Sequence, residues 1–320
     1  MDVLPKKKAV WPILSSNSLV PAWLIVRLEA KKEWSKNQRF LYSPFWFIRE
    51  THLWYVIPNE VKSQFLLRQY VDLLSPLEKE RVFSIDKDEL RKTSILARAF
   101  VRSTISRYQL HSNVSPSSLE FKKNTHGKPQ VIWQYNDEWD PPPLHFNISH
   151  TSSLIACGVT IGSPIGIDVE EKKRKLKNNI LAFAKRYFSC EEVTMLSAIS
   201  DPEVQRREFI KLWTLKEAYV KALGRGFSGA PFKTFTIRFG SANQSPEDSN
   251  SVIVPLENPT SLTTNWQFAQ VELDGSHYAA ICKENNGLPG GGEPMKVIVR
   301  KTIPLVEEHL IPEVDYAELT

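Results

Sequence analysis

Three carboxylates in two short segments raise the first chemical question. Residues 166–170 read Gly-Ile-Asp-Val-Glu, and residues 212–226 read LWTLKEAYVKALGRG. In a strand, side chains alternate, so Asp168 and Glu170 share one face and Val169 takes the other. Two neighbouring carboxylates repel unless a cation lies between them. Hard oxygen ligands with no nearby Cys or His suit Mg²⁺ better than zinc. The same pattern also describes a strand with one wet, acidic face. Glu217 bears on the choice. In a helix it shares a face with Trp213 and Val220, at spacings of 4 and 3. A glutamate beside a tryptophan points toward protein, where an acid needs a partner. Lys221, one turn on, offers an ordinary pairing of only ~0.2–0.5 kcal/mol. A metal shared with Asp168 is the stronger reason to place it there.

Two further segments carry polar groups. HFNISHT (145–151) supplies Asn147, Ser149 and His150. A Ser-His-Asp triad is one reading, but adjacent side chains diverge in an extended segment and no G-x-S-x-G elbow is present. Binding of phosphate oxygens and a plain turn are the others. KNTHGKP (123–129) sets Lys123 and Lys128 around a Gly-Pro-bounded turn, without the spacing of a Walker A loop. Arg98 and Arg102 add guanidinium groups suited to phosphate. The basic run Lys172–Lys177 reads as a solvated loop, a nuclear-address-like patch or a surface for an acidic protein. It lacks the interleaved aromatics of a nucleic-acid groove.

These residues need elements to hold them. Residues 51–58 read as a strand ended by proline. Ser75, Pro76 and Glu78 form a capping box that opens a helix, and a second helix covers 88–108. Residues 111–145 are loop-rich. Residues 153–170 read as two strands around a Gly-Ser-Pro turn. Ser189 caps a helix with Glu192 at its third position, and a further helix over 203–223 stops at Gly224. Short strands follow to about 283. Residues 287–294 are a flexible linker, and 295–306 a peripheral strand. LARAFVRS (96–103) and LKEAYVKA (215–222) align without gaps at an offset of 119. Each follows a strand and a capped helix, which favours a duplicated unit over coincidence. Arg98 then stands where Glu217 stands in the other copy.

The chain has 320 residues with 42% hydrophobic and 24% charged content, enough for one large domain or two smaller ones. The net charge of +5 tolerates an acidic partner or a phosphorylated ligand. The three scattered cysteines form no CxxC pair, pointing to a reducing compartment and away from zinc. No apolar run approaches the ~18–20 residues of a membrane span. The N-terminal segment is basic and acid-poor, either an untidy leader or an organelle transit segment short of arginine.

Taken in order, five motifs resemble those of the Sfp-type 4′-phosphopantetheinyl transferases. They are Gly127-Lys128-Pro129, Asn147-Ile148-Ser149-His150-Thr151, Gly166-Ile167-Asp168-Val169-Glu170, Phe188-Ser189-Cys190-Glu191-Glu192 and Trp213 through Lys221. The match covers roughly 52–285. It implies an α+β pseudodimer of two similar lobes, each a small antiparallel sheet packed with a long helix. The lobes would span 51–165 and 166–285, with an N-terminal extension over 1–50 and a linker and peripheral strand over 286–320. The implied activity is Mg²⁺-dependent transfer of the phosphopantetheine arm of coenzyme A to a serine of an apo acyl carrier protein, releasing adenosine 3′,5′-bisphosphate. On this resemblance Asp168, Glu170 and Glu217 ligate Mg²⁺, with Glu170 the ligand some members replace. Glu217, directly or through a metal-bound water, and Lys221 are catalytic. Arg98, Lys123, Gly127, Lys128, Asn147, Ser149, His150, Lys216 and Lys221 bind the nucleotide and its phosphates. A monomer acting in the cytoplasm is expected, or in mitochondria if residues 1–50 act as a transit segment. No nucleic acid or membrane is expected as partner.

Overall fold

A computed structural model describes residues 50–109, 115–133, 143–176, 179–238, 252–255, 266–285, 295–311 and 316–319. All belong to one unit, Ser43–Thr320. The expected N-terminal leader, residues 1–49, lies outside the described residues.

In β1 (Glu50–Val56), the first described strand, every residue after Glu50 is buried. Trp54 and Val56 face one core, and Leu53 and Tyr55 another. Three helices follow, α1 (Gln64–Leu73), α2 (Pro76–Phe83) and α3 (Asp88–Ser106). The Ser75 capping box forms as expected: the Glu78 N–H donates to Ser75 Oγ at 3.3 Å and the Ser75 N–H to Glu78 Oε2 at 2.9 Å. α1 was not expected. Ser63 caps it, and Leu66, Leu67 and Tyr70 bury its inner face. The loop-rich stretch contains a hairpin, β2 (Glu120–Lys123) with β3 (Pro129–Ile132).

Next come β4 (Leu144–His150), β5 (Ile155–Ile161) and β6 (Ile165–Glu171). The two strands read around the Gly-Ser-Pro turn are present, but they part company. β5 enters a five-stranded sheet and β6 a four-stranded one. α4 (Ile180–Tyr187), also unexpected, precedes α5 (Cys190–Ser197), which opens on the Ser189–Glu192 capping box. The long α6 (Pro202–Leu223) starts at the Asp201 cap and ends at Gly224, whose φ of 64° is the left-handed conformation that closes helices. β7 (Phe235–Arg238) pairs with β8 (Val252–Pro255). β9 (Trp266–Leu273), β10 (His277–Glu284), β11 (Lys296–Ile303), β12 (Glu307–Leu310) and β13 (Tyr316–Leu319) complete the described chain.

The five-stranded sheet has the order β12-β11-β1-β5-β4, and the four-stranded sheet β13-β9-β10-β6. One core lies between the first sheet and α1–α3, and another between the second sheet and α4–α6. A third draws Leu53, Ile167, Val271, Ile281 and Val299 from both sheets. Each sheet therefore carries its own long helix in a mixed α+β architecture. Two expectations change. β11 runs parallel to β1, so the first sheet is not purely antiparallel. The segment expected to be peripheral sits between β12 and β1, because Val297 and Val299 alternate into the inter-sheet core.

Candidate functional site

β6 places its acids through simple alternation. Ile165, Ile167 and Val169 face the inter-sheet core, so Gly166, Asp168 and Glu170 face the other way, toward α6. Gly166 lets the helix come close. A Cβ there would lie 2.0 Å from the Ala218 carbonyl oxygen and 2.2 Å from the Ala222 nitrogen. On α6, Trp213, Glu217 and Lys221 recur every fourth residue along one face. They line a cavity of about 540 Å³ together with Ser149, His150, Asp168 and Glu170. Val220, expected on the same face, is buried in the helix-side core instead.

Asp168 is 5% exposed. Its Oδ1 accepts from Ser149 Oγ at 2.8 Å and from Lys221 Nζ at 2.6 Å. Lys221 thus pairs with Asp168, where the local helical pairing would have been with Glu217. Asp168 Oδ2 is buried and receives no hydrogen bond. Glu170 pairs with Arg174, whose guanidinium lies 5.8 Å from the centre of the Trp213 ring. Burial pushes the Glu170 carboxyl up to about 7, with Arg174 opposing and Asp168 reinforcing the rise. Burial, then the charge of Asp168, raises Glu217 as well.

A hard divalent cation fits these residues. It would satisfy the bare Asp168 oxygen and relieve the repulsion that adds to burial in raising Glu170 and Glu217. Among the described residues, no three His, Cys, Asp or Glu side chains are already gathered around one point as metal ligands. Lys221 and Arg174 hold Asp168 and Glu170 in ion pairs instead. Arg174 was missed in the sequence. Its trace there is a position four residues after Glu170, within the basic run.

Several expected binding residues sit elsewhere. Lys216 does not face the cavity. It is fully buried, and its Nζ donates to both Glu192 oxygens at 2.6 and 2.7 Å and to the Phe235 carbonyl at 2.8 Å. One residue from Glu217 is ~100° around the helix, so the two cannot face the same ligand. Arg102 is likewise structural, donating to Glu78 Oε2 and to the Pro116 and Leu119 carbonyls, each at 2.8 Å. Arg98 turns back onto the Ser94 carbonyl at 3.1 Å, and burial lowers its pKa. Lys123 is exposed at the end of β2. Gly127 lies in the β2–β3 turn, its N–H bonded to the Asn124 carbonyl at 3.0 Å. Lys128 Nζ donates to the Ile165 and Ala222 carbonyls at 2.8 and 3.0 Å, and burial lowers its pKa to about 8. It caps the end of α6 and lines a second cavity of about 470 Å³. Arg98, Lys123 and Asn147 line neither cavity.

The hydrolase alternative finds no support in the geometry. Ser149 Oγ accepts from the Val169 N–H at 3.2 Å and from Lys221 Nζ at 3.1 Å while donating to Asp168. One proton and two lone pairs are all in use, and none reaches a histidine. His150 is exposed at the cavity rim.

Comparison with known proteins places the chain in a family. Residues 164–282 match the 4′-phosphopantetheinyl transferase superfamily, and residues 60–160 match the family described as 4′-phosphopantetheinyl transferase, N-terminal. The chain is 31% identical to the 4′-phosphopantetheinyl transferase Sfp of Bacillus subtilis (strain 168) over 222 residues, covering 69% of this chain and 87% of that one. The 4′-phosphopantetheinyl transferase ffp of Bacillus subtilis is 35% identical, covering 63% and 78%. HetI of Nostoc sp., also a 4′-phosphopantetheinyl transferase, is 31% identical, covering 56% and 70%. With both family models matched and relatives matched over most of their length, the chain belongs to the Sfp-type 4′-phosphopantetheinyl transferases.

Proposed function

We propose that this chain transfers the 4′-phosphopantetheine arm of coenzyme A to a serine of an apo acyl carrier protein, with Mg²⁺, releasing adenosine 3′,5′-bisphosphate. The observation that carries the reading is the buried, unpartnered Asp168 Oδ2 in a cavity shared with Glu217 and Lys221. Asp168 and Glu217 would hold the ion, with Glu170 joining once free of Arg174. A divalent ion there supplies charge neutralisation to the diphosphate. The serine oxygen bonds to the phosphorus that bears the pantetheine. The bond from that phosphorus to the bridging oxygen breaks, and its electron pair leaves with the nucleotide. Glu217 takes the serine proton, directly or through an intervening water. Lys221, one turn further along α6, adds positive charge on the leaving side.

The basic segment that follows β6 supports an acidic protein partner. Lys172 and Lys211 both stand over the Tyr278 ring, at 5.2 and 5.6 Å. Lys172 directly follows the strand that carries the acids and pairs with Glu272, Lys211 lies on α6 and pairs with Glu208, and together they would attract the acidic face of a carrier. Lys177 lies outside the described residues. The enzyme would act as a monomer in the cytoplasm, or in mitochondria if residues 1–50 direct it there. Two pseudo-twofold halves would enclose the coenzyme. No helix among the described residues is long and apolar enough to cross a membrane.

Mass spectrometry of an apo carrier protein incubated with coenzyme A and Mg²⁺ tests the reading. One added phosphopantetheine is expected with the wild-type chain and none with Glu217→Gln. An unmodified carrier across a panel of carriers, or full transfer by Glu217→Gln, would contradict it.

A further inference from the structure

β4 and β6 are the edge strands of two different sheets. Nothing joins them as a backbone ladder, yet both are buried there, and buried N–H groups need acceptors. Two side chains of β4 provide them. The Ile167 N–H donates to Asn147 Oδ1 at 2.9 Å, and the Val169 N–H to Ser149 Oγ at 3.2 Å. The two-residue spacing on β4 matches the two-residue spacing on β6, so the strands run side by side in the same direction. The pinned residues are the ones on either side of Asp168. Ser149 then sends its own proton to Asp168 Oδ1 at 2.8 Å, which leaves Oδ2 as the bare oxygen. Asn147 and Ser149 are each only 6% exposed. Asn147 lines neither cavity, so it has no route to a ligand there. Gly166 seats α6 on the same strand. The carboxylate is therefore held by one sheet through the backbone of another.

We propose that Asn147 is a positioning residue for the Asp168 carboxylate, acting with Ser149 through the β6 backbone rather than by touching the nucleotide. The inference rests on the proposed divalent site, so its test includes a readout independent of activity. That readout is amide hydrogen exchange at Ile167 and Val169 in the full chain, compared between wild type, Asn147→Ala, Ser149→Ala and the hydroxyl-retaining Ser149→Thr. Asn147→Ala should speed exchange at Ile167, and Ser149→Ala at Val169, with Leu53 in the central strand unchanged. Groups that orient metal ligands typically matter about 10–100-fold in metal affinity or activity. Calorimetric Mn²⁺ affinity and kcat should fall by about that factor in both alanine variants, and Ser149→Thr should recover them. In Asn147→Ala the KM for coenzyme A should stay within about twofold, because uniform binding is untouched. A rise of about tenfold in that KM with kcat and Mn²⁺ affinity unchanged would mark Asn147 as a direct nucleotide contact and overturn the proposal. Unchanged exchange at Ile167 would also overturn it. If Asn147→Ala does not fold, the Ser149→Ala and Ser149→Thr pair decides by the same readouts. A wild-type chain that transfers nothing would sink the proposed function, and the exchange data alone would then judge the bridge.

Discussion

At the scale of single residues, the same side-chain types serve two trades within one helix. Lys216 and Lys221 are five positions apart on α6. Lys221 faces the cavity, and Lys216 is enclosed with Glu192 and lies 4.1 Å from the centre of the Phe235 ring. Glu192 also accepts the Ser189 and Ile237 N–H groups, and Lys216 is its buried ion partner. Lys216→Met should cost about 3–5 kcal/mol, since it strands a buried carboxylate. The double variant Lys216→Met with Glu192→Gln should recover part of that loss. Urea unfolding reads both, and a single variant as stable as wild type would contradict the account. The four-residue spacing of Trp213, Glu217 and Lys221 was legible in the sequence. Lys216 was misplaced because its resemblance to a phosphate-facing lysine overrode its angle on the helix. The bonds that Asn147 and Ser149 accept from the β6 backbone were not legible, because residue types do not reveal backbone partners.

At the scale of elements, the decisive contact is α6 against β6. It depends on Gly166, where any side chain meets the Ala218 and Ala222 backbone. Gly166→Ala should force the helix outward and cost about 1–3 kcal/mol or more, as overpacking does. It should also weaken divalent binding by parting Glu217 from Asp168. Thermal unfolding with and without Mg²⁺ measures the two effects, and a variant with unchanged Tm and an unchanged Mg²⁺ shift would refute the seating. Elements with strong caps were readable. Ser75 with Glu78 and Ser189 with Glu192 mark their helices through a reciprocal bond. α1 escaped because Ser63 has a leucine, not an acid, three residues on, and because Phe65 on the same helix is 64% exposed. α4 lay hidden behind the basic run. β5 and β6 were readable as strands, since alternation fixes faces. Their partners were not, because β6 pairs with β10 more than a hundred residues later.

At the scale of the whole molecule, two sheets share a core, and the C-terminal segment contributes to both. β11 lies beside β1, while β13 pairs with β9. Alternation in 296–303 announces a strand, but its insertion beside β1 is set by long-range topology. The first sheet also holds a buried histidine that ties stability to pH. His52 is 4% exposed, with Nδ1 2.7 Å from the Tyr108 hydroxyl. Burial lowers its pKa from 6.5 to about 4. It stays neutral in the fold, whereas the unfolded chain takes up a proton as pH falls below 6.5. The contribution is complete above that pH, declines toward pH 4 and is exhausted below it. Its full size is about 3 kcal/mol. Urea unfolding between neutral pH and the acid limit should show this loss in wild type and a flatter profile in His52→Gln. Equal slopes would assign the acid sensitivity to other groups.

The central claim is that Asp168 and Glu217 hold one divalent ion. Crystals grown with coenzyme A and Mn²⁺ test it through the anomalous signal of the metal. One peak is expected within about 2.0–2.2 Å of a carboxylate oxygen of each residue. Bound coenzyme A with no peak, or with a peak touching neither side chain, would contradict the account.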